Sequence, residues 1–420
     1  MSGVRAHVLV VGGGAEIPGI IRKIGGEGAR TSVICRTSVV GRLKEPEGHT
    51  RVVALPADAD PQEWVHLSRA LHEADPFTAV GSYAEIDQDH AARIAAALGV
   101  PMHDPQTVAA AHDKALMRAL LREAGVDDTP AAVADDLAEA QAFADRHGYP
   151  LIAKPVRGAG STYVARIGGA DELEAAFRRA STVSDFSSGT VLLERFMTGP
   201  QVSVEGLSEN GDHLVVGVTA KFSEPEHLVE IGHVCPAELD DVTDKNIACY
   251  VSTVLTTLGV RDGATHTELV LTSDGPRVIE THVRLAGDEI PDLVREAVGV
   301  DLVECVAKQA LGIAVLDDAA EQLAAAPPRA SAIWYAVPGA AGTLRAVEGI
   351  DEAAGVAGVT AARAMLSPGD RTGPLRSSYD RGACVRVLAD TSAEAVRVAR
   401  DAASRITFVV EARQSVTETL

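Results

Sequence analysis

The sequence predicts a protein of the α/β and α+β classes, and three observations carry this prediction. Near the N-terminus, strand-like and helical segments alternate, which is typical of a parallel α/β unit of about a hundred residues. Farther along, Asn210-Gly211 separates two strand-like stretches and predicts a β-hairpin. After the breaker AAAPPRA, strand-like IWYAV and ACVRVLAD precede the helix SAEAVRVARDAASRI, which indicates a small C-terminal α+β module.

The N-terminal unit is predicted to begin with the strand HVLVVGGG, which a helix through EIPGIIRKIGGEG follows. TSVICR predicts a second strand, and TAVGSY leads into a helix through EIDQDHAARIAAALGV. The segment LGVPMHDPQT, with two prolines, marks the end of this unit. The first apolar run is too short for a membrane span, and it is expected to be a strand rather than a signal peptide.

In the middle of the chain, one helix is predicted through AAHDKALMRALLREAG and a second through DDLAEAQAFADRHG. The strand PLIAKPV, the loop RGAGST, the strand YVARI, the helix DELEAAFRRA and the strand VLLERFM follow in that order. EIGHVCPAEL is predicted to be an apolar loop. DVTDKNIACYVSTVLTTLG is a long helix before two acidic strands, and IPDLVREAVGVDLVECVAKQALG predicts a helical pair.

Charge and cysteine content exclude several classes of protein. The net charge of −21 argues against nucleic acid or an anionic membrane surface as a partner, because both require a basic surface. The five cysteines are widely spaced, odd in number and without a CxxC pair, which argues against a disulfide framework or a zinc knuckle. Buried thiols in a reducing cytoplasm are therefore expected.

Two adjacent strands carry an unusual concentration of ionisable side chains. Side chains alternate along a strand, so Glu280, His282 and Arg284 are expected on one face of their strand. His266 and Glu268 are likewise expected on one face of the preceding strand. Two carboxylates among apolar neighbours would have a large desolvation free energy unless a cation neutralised them. A divalent ion with a polyphosphate fits this cluster best, and Glu268 with Glu280 are the predicted metal ligands.

A lysine followed by a glycine loop is the second candidate. In KPVRGAGST, glycines let backbone N–H groups approach phosphate oxygens and Lys154 can neutralise them, although a simple hairpin turn explains the segment equally well. Lys114 and Glu194, taken alone, have the pattern of ordinary surface residues. Glu230 and His233 lie close together in EIGHVCPAEL, where a functional and a structural role are equally favoured.

The glycines from Gly12 to Gly19 offer a different hypothesis, a nicotinamide-dependent oxidoreductase. Their spacing departs from G-x-G-x-x-G, and Cys35-Arg36 stands where an acidic residue would bind the ribose. A tight turn in an α/β unit that binds no dinucleotide is the favoured interpretation.

In order and spacing, these motifs resemble those of the ATP-grasp superfamily of carboxylate–amine ligases. The resemblance covers residues 1 to about 315 and implies an ATP-grasp fold. It implies an N-terminal Rossmann-like pre-ATP-grasp domain at 1–104 and an ATP-grasp domain at 105–315, with a small lid subdomain at about 126–194. A C-terminal, lid-like α+β domain at 316–420 completes the expected organisation.

The resemblance also implies site residues. The implied metal ligands for Mg²⁺, or alternatively Mn²⁺, are Glu268 and Glu280. The implied ATP-binding residues are Lys114, Lys154, Gly158, Ala159, Gly160, Ser161, Glu194, Arg195, Phe196 and Gln201. Gln201 stands where many members have a glutamate, and His282 where they have an asparagine. His282, Glu230 and Asp288 are further expected contacts to phosphate or substrate.

Within the superfamily, GHVCPAEL, the E-x-x-x-R-x-x-G-D run and the C-terminal module resemble the L-amino acid ligases. This implies an ADP-forming enzyme that makes dipeptides or amides through an acyl phosphate, in natural-product biosynthesis, with His233 and Arg284 as catalytic residues. Small-molecule substrates are the implied partners, namely an amino acid or another carboxylate together with an amine, and a homodimer is common in the family. The walls of the substrate pocket are expected in loops around residues 225 to 240 and 284 to 292, and in the C-terminal module near Arg371 to Arg376.

Three alternatives remain open at this point. A related enzyme could load an amino acid onto a carrier-protein thiol by the same chemistry. The chain could also be a non-catalytic nucleotide-binding relative, although both lysines and both glutamates are present. The nicotinamide oxidoreductase is the alternative from another class.

Overall fold

The N-terminal part of the chain is a parallel sheet covered by helices. A computed structural model describes residues 6–184 and 187–412. The first elements are β1 (Ala6–Val11), α1 (Ile17–Gly25), β2 (Ala29–Arg36), β3 (Val52–Leu55), α2 (Pro61–Ala74), β4 (Ala79–Gly81) and α3 (Gln88–Leu98). The strands pair in parallel in the order β3-β2-β1-β4, as alternating strands and helices predict. Leu9, Ile34, Trp64 and Ile94 are completely or almost completely buried between this sheet and its helices.

The helix predicted through residues 110–125 is instead two helices, α4 (Pro105–His112) and α5 (Lys114–Glu123). Asp113 separates them with an extended backbone, φ −110° and ψ 101°. Its carboxylate accepts a hydrogen bond of 2.9 Å from the backbone N–H of Leu116, so it caps the second helix. The prediction of one continuous helix was wrong because the apolar periodicity continues across this cap.

A small antiparallel sheet follows. Its elements are β5 (Ala131–Ala134), α6 (Leu137–His147), β6 (Leu151–Pro155), β7 (Ala165–Ile167), α7 (Leu173–Ala180), a short hairpin of β8 (Val183–Ser184) and β9 (Ser187–Ser188), and β10 (Val191–Arg195). The strand order is β5-β10-β6-β7, with Lys154 opposite Leu192. Helices α6 and α7 bury Phe143 and Leu173 against this sheet, which forms a core of its own.

The central feature of the fold is an eight-stranded sheet in the order β15-β14-β11-β12-β13-β16-β20-β18. Its first half, with the helices that pack near it, comprises β11 (Gln201–Glu209), β12 (Asp212–Ser223), β13 (Glu230–Cys235), α8 (Asp241–Thr257), β14 (Gly263–Thr272), β15 (Gly275–His282), α9 (Ile290–Val298) and α10 (Leu302–Ala310). At the predicted hairpin, Asn210 and Gly211 both have positive φ, 56° and 93°, which this two-residue turn requires.

The segment EIGHVC is a strand, and its prediction as a loop was wrong. β13 pairs with β12 on one side and with β16 on the other, so that His233 lies opposite Lys221 and Ile333. The second partner lies about a hundred residues farther along the chain. Local sequence could not indicate this pairing, because no alternation of polar and apolar residues marks a strand that is buried on both faces.

The C-terminal module extends the same sheet. Its elements are α11 (Leu316–Ala325), β16 (Ala330–Ala336), β17 (Gly342–Glu348), α12 (Ile350–Ala354), β18 (Val359–Ala364), β19 (Arg371–Thr372), β20 (Ala383–Ala389), α13 (Ser392–Ala403) and β21 (Thr407–Glu411). β16, β20 and β18 continue the central sheet across the predicted boundary at residue 316, while β19, β17 and β21 form a separate sheet. The predicted domain limits stay predictions, and their outermost residues, 1–5 and 413–420, lie outside the described residues.

Two findings bear on the class of protein. Within residues 6–184 and 187–412, none of the helices has both the length and the apolar character needed to cross a membrane. The cysteines are free, and Cys35, Cys235, Cys305 and Cys384 are buried as expected, whereas Cys249 is exposed on α8.

Candidate active site

One cavity of about 570 Å³ collects every site residue that the sequence predicts. It lies between the large sheet, the small sheet and the C-terminal module. The predicted residues that line it are Lys114, Lys154, Gly158, Ala159, Gly160, Ser161, Glu194, Arg195, Phe196, Gln201, Glu230, His233, Glu268, Glu280, His282, Arg284 and Asp288. Residues that are far apart in the sequence therefore share one site.

The two predicted metal ligands are cross-strand neighbours, since Glu268 on β14 pairs in register with Glu280 on β15. Glu268 contacts Lys221 Nζ at 2.5 Å and His266 Nε2 at 3.3 Å. Glu280 contacts Lys114 Nζ at 2.8 Å and His282 Nε2 at 3.2 Å. Each carboxylate thus has its own lysine and its own imidazole.

Both carboxylates are ionised in this setting. Burial alone would raise the pKa of Glu268, but Lys221 and His266 outweigh it and lower that pKa. The pKa of Glu280 is likewise lowered, because Lys114 and His282 outweigh the effect of burial. Two charged carboxylates that face one cavity, with side chains 15% and 19% exposed, are a donor set that suits a hard divalent cation.

Lys221 is a site residue that the sequence analysis missed. It lies on β12 with a side chain 3% exposed, and its ammonium bridges Glu230 at 3.1 Å and Glu268 at 2.5 Å. Burial would lower its pKa, but these two carboxylates raise it instead. The available signal was a lysine inside the strand-like segment GVTAKF, where a charged side chain needs a partner.

The imidazole of His266 is part of the same cluster. Its Nδ1 lies 3.0 Å from the buried carboxylate of Glu205, and its ring stacks on that of His282 with centroids 5.8 Å apart. Burial lowers the pKa of His266, but Glu205 and Glu268 outweigh it and raise that pKa to about 9. His266 is therefore an imidazolium at neutral pH, and the acidic pair has a third cation beside it.

At the other end of the cavity, Lys154 on β6 and Arg118 on α5 hold the carboxylate of Glu194 between them. The distances are 2.7 Å from Lys154 Nζ and 2.7 Å from Arg118 Nε, and all three side chains are almost completely buried. Burial would raise the pKa of Glu194, but the two cations outweigh it and lower that pKa to about 2. Arg118 was missed, since a single arginine on an amphipathic helix has the pattern of a surface residue.

The glycine loop, defined as Gly158 to Ser161, lines the cavity and is hydrogen-bonded to other segments of the chain. The ammonium of Lys114 donates to the carbonyl of Gly158 at 3.2 Å, and Ser161 Oγ donates to the carbonyl of Leu228 at 3.3 Å. Gly160 and Ser161 have positive φ, 64° and 55°. This left-handed backbone is why a glycine is suited to position 160.

The segment that is expected to meet adenine lies at the end of β10. The backbone N–H groups of Arg195 and Phe196 donate to the carbonyls of Pro130 and Pro150 at 3.0 and 3.1 Å. Gln201 Oε1 accepts a hydrogen bond of 3.5 Å from Ser223. These residues line the cavity, and their contacts to a nucleotide stay a prediction.

Arg284 is held by a residue of the N-terminal domain. Its guanidinium donates to Glu85 Oε2 from Nε at 3.0 Å and from Nη2 at 2.5 Å. Glu85 also lies 3.3 Å from His282 Nδ1, and these contacts outweigh burial and lower the pKa of Glu85. Glu85 was missed because nothing in its local sequence links it to a strand two hundred residues away.

A second buried network surrounds His233. Its Nε2 lies 3.0 Å from Asp288 Oδ2, and Asp288 also receives two hydrogen bonds from Arg381, at 2.6 and 2.7 Å. The guanidinium of Arg381 stacks on the ring of Tyr335 with its centre 3.9 Å from the ring centroid. From the C-terminal module, Arg381 lines the cavity with Met365, Leu366, Ser378 and Tyr379. The expected substrate wall near Arg371 to Arg376 stays a prediction.

The N-terminal glycines form a turn that packs on its own domain. Gly12 has φ 88°, and a Cβ there would lie 2.8 Å from a carboxylate oxygen of Asp87. Arg36, at the end of β2, pairs with the same carboxylate at 3.0 Å. This agrees with the interpretation of a structural turn, and the glycines lie outside the cavity that collects the other motifs.

Comparison with known proteins gives two matching domain families. Residues 147–292 match the ATP-grasp domain, and residues 334–411 match the L-amino acid ligase C-terminal domain 2. The crystal structure of an L-amino acid ligase from Bacillus licheniformis superposes with a TM-score of 0.81 and 22% identity, covering 98% of this chain and 100% of that one. At this identity the likeness establishes the fold.

Curated relatives are similar over part of their length. An uncharacterized protein of Sinorhizobium fredii is 31% identical over 325 residues, 76% of this chain and 64% of that protein. The alanine–anticapsin ligase of Bacillus subtilis is 26% identical over 228 residues, 49% of this chain and 48% of that enzyme. The chain thus spans about half to two thirds of these two relatives. Residues 147–292 thus belong to the ATP-grasp domain family, residues 334–411 are similar to the C-terminal domain of L-amino acid ligases, and the chain shares its fold with an L-amino acid ligase.

Proposed function

We propose that the chain is an ADP-forming ligase that joins the carboxylate of an amino acid, or of a similar compound, to an amine. The observation that carries this proposal is the single cavity lined by Lys114, Lys154, the glycine loop, the acidic pair and Arg284. Such a site combines cations for a polyphosphate with a carboxylate pair for a metal ion, which phosphoryl transfer requires.

A carboxylate needs activation before an amine can attack it, because its oxygen is a poor leaving group. In the proposed first step, a substrate carboxylate oxygen attacks the γ-phosphorus of ATP, the bond to the β-phosphate oxygen breaks, and ADP leaves. Lys114 and Lys154 would neutralise charge on the phosphates. Glu268 and Glu280 would hold Mg²⁺, or Mn²⁺ in its place, which when bound offsets further phosphate charge.

In the second step, the amine nitrogen attacks the acyl carbon, inorganic phosphate leaves, and the nitrogen loses a proton. Arg284 would contact the substrate carboxylate or the departing phosphate, and His233 would assist at the acyl intermediate. Asp288 fixes His233 at 3.0 Å, so its ring has a defined orientation toward the cavity. Water must be excluded during this step, because it would hydrolyse the acyl phosphate. The glycine loop would act as the lid that excludes it.

The amino acid as substrate class rests on the C-terminal module and on the relatives. Two of these are named dapdiamide A synthase, from Enterobacter agglomerans, and alanine–anticapsin ligase. We propose by this likeness that the product is a dipeptide or a related amide of natural-product biosynthesis. The free thiols agree with a reducing cytoplasm.

Phosphate release from ATP and Mg²⁺, screened over pairs of amino acids with product masses read for each active pair, tests this function. We expect release that depends on both partners of a pair and an equal amount of condensed product. Release only when a carrier protein is added would favour thiol loading instead. Tight nicotinamide binding without an ATP-dependent thermal shift would overturn the ligase proposal.

A further inference from the structure

We propose that Ser378 and Arg381, in one turn of the C-terminal module, are positioning residues that couple closure of the glycine loop to the acyl end of the cavity. The turn, residues 377–381, touches the loop on one side and Asp288 on the other. This inference rests on the proposed function only for its catalytic consequence. The structural coupling stands on contacts within the chain.

The first contact joins the turn to the loop. The backbone N–H of Ser378 donates to the carbonyl of Gly160 at 3.2 Å. A Cβ at Gly160 would lie 3.1 Å from the ring of Tyr379, so the ring packs directly on this glycine. A loop expected to cover the phosphates is thus held by a segment more than two hundred residues away in the sequence.

The turn is braced by hydrogen bonds of its own. Asp380 Oδ2 accepts from the backbone N–H of Ser377 at 2.8 Å and from its hydroxyl at 3.0 Å. The Ser377 side chain in turn accepts from the backbone N–H of Asp380, which completes a capping box at a 3₁₀ turn. Asp380 Oδ2 also accepts from the N–H of Arg376 at 3.0 Å. A turn fixed in this way can transmit a displacement of one side to the other.

Arg381 joins the turn to the acyl end. Its Nε donates to the carbonyl of Ser378 at 2.8 Å, and its other nitrogens bind Asp288, which in turn contacts His233. Asp288 neutralises the guanidinium charge, and the side chain is only 4% exposed. Arg381 therefore acts through Asp288 and Ser378, and a displacement of Asp288 by substrate would reach the glycine loop through three successive hydrogen-bonded links, from Asp288 to Arg381, from Arg381 to Ser378 and from Ser378 to Gly160.

Ser378→Pro tests the first link selectively. This substitution removes the N–H that binds the carbonyl of Gly160. The turn should tolerate it, because proline is accepted at the first position of a helical turn that follows an extended residue. Ser377, which precedes this position, is extended at φ −155° and ψ 166°. Ser378→Ala keeps the N–H and is the matched control. Amide exchange of residues 158–162 is measured in the full chain with Mg²⁺ and a non-hydrolysable ATP analogue.

We expect Ser378→Pro to speed this exchange about fivefold, the factor that corresponds to one lost hydrogen bond, and Ser378→Ala to leave it unchanged. For an active substrate pair, the ratio of phosphate released to product formed should rise above one in Ser378→Pro alone. Unchanged exchange in Ser378→Pro overturns the coupling. Because exchange needs no turnover, a failed ligase assay bears on the proposed function and leaves this test intact.

A second variant tests the acyl end. Arg381→Lys keeps the charge beside Asp288 but cannot bind Asp288 and the Ser378 carbonyl together. We expect faster exchange in residues 158–162 and a raised phosphate-to-product ratio, as in Ser378→Pro, with an unchanged KM for ATP. If Arg381→Lys leaves both the exchange and the ratio unchanged, Arg381 has no positioning role and the proposal is overturned.

Discussion

Glu268 and Glu280 lie directly opposite each other on β14 and β15, yet each carboxylate binds a different lysine. Lys221 approaches from within the large sheet, and Lys114 approaches from the first turn of α5. A carboxylate pair on neighbouring strands would repel itself, and the two lysines remove that repulsion. A divalent ion would have to compete with both ammonium groups, so metal binding and the positions of these lysines are linked.

The first prediction concerns Glu280. Glu280→Gln removes one of the two proposed ligands, and we expect ATP turnover to fall by about a hundredfold or more, since charge neutralisation in the transition state is lost. Asp274→Asn, at the exposed turn between the same strands, is the control and should retain full turnover. Phosphate release measures both variants. Full turnover in Glu280→Gln would instead favour a different metal site.

The second prediction concerns Lys221. Lys221→Met leaves Glu230 and Glu268 without their shared cation, so we expect the free energy of unfolding to fall by about 3 kcal/mol in chelator. Millimolar Mg²⁺ should restore part of this loss, because a bound cation would replace the ammonium charge. The exposed Lys245→Met on α8 is the control. Denaturant unfolding with and without Mg²⁺ measures this effect. A loss of unfolding free energy that Mg²⁺ does not reduce would argue against a metal ion at this site.

The third prediction concerns acid stability. The pKa of Glu194 is lowered from 4.5 to about 2, so its contribution is fully present above about pH 4.5 and is lost as pH falls toward 2. Glu194→Gln leaves Lys154 without an anion and Arg118 with Asp127 alone, at 3.5 Å, and should cost about 3–5 kcal/mol at neutral pH. The difference in unfolding free energy between the wild type and the variant should shrink across that window. A difference independent of pH would contradict this charge assignment.

The fourth prediction concerns the attachment of the C-terminal module. Arg386 on β20 contacts Glu289, Asp292 and Glu296 at or near α9, at 2.7, 3.1 and 3.0 Å. Arg386→Gln leaves these carboxylates without this cation, and we expect a loss of about 2 kcal/mol in thermal or denaturant unfolding. Arg397→Gln is the control, because Arg397 is 70% exposed and its ion pair contributes little. Equal stability of both variants would show that the contacts of Arg386 are not needed to attach the module, and that strand pairing, packing and the remaining contacts suffice.

Much of the fold could be predicted because its signals are local. The hairpin at Asn210-Gly211 follows from a two-residue turn that requires positive φ, and both residues have it. The parallel N-terminal sheet follows from strands that alternate with helices. The break at Asp113 and the strand at Glu230–Cys235 were missed, because a cap inside a continuous apolar pattern and a pairing with a distant strand leave little local trace.

The candidate site, like the fold, could be predicted from the sequence only in part. Lys154 with its glycines and the acidic pair could be found because their spacing along strands and loops is itself a signal. Arg118, Glu85 and Arg381 could not, because each is defined by a carboxylate or arginine that lies far away in the sequence. No local pattern distinguishes them from ordinary charged residues.

The sequence by itself determined most of the elements, their order and many of the chemical groups of the site, since periodicity, turn residues and strand alternation act over a few residues. Only the tertiary structure decided which charged side chains of the site neutralise one another. It also decided that the C-terminal module continues the central sheet and contacts the glycine loop. The physical reason is that a buried charge must have a partner within a few ångströms. Its partner is set by how distant segments pack, and not by neighbours along the chain.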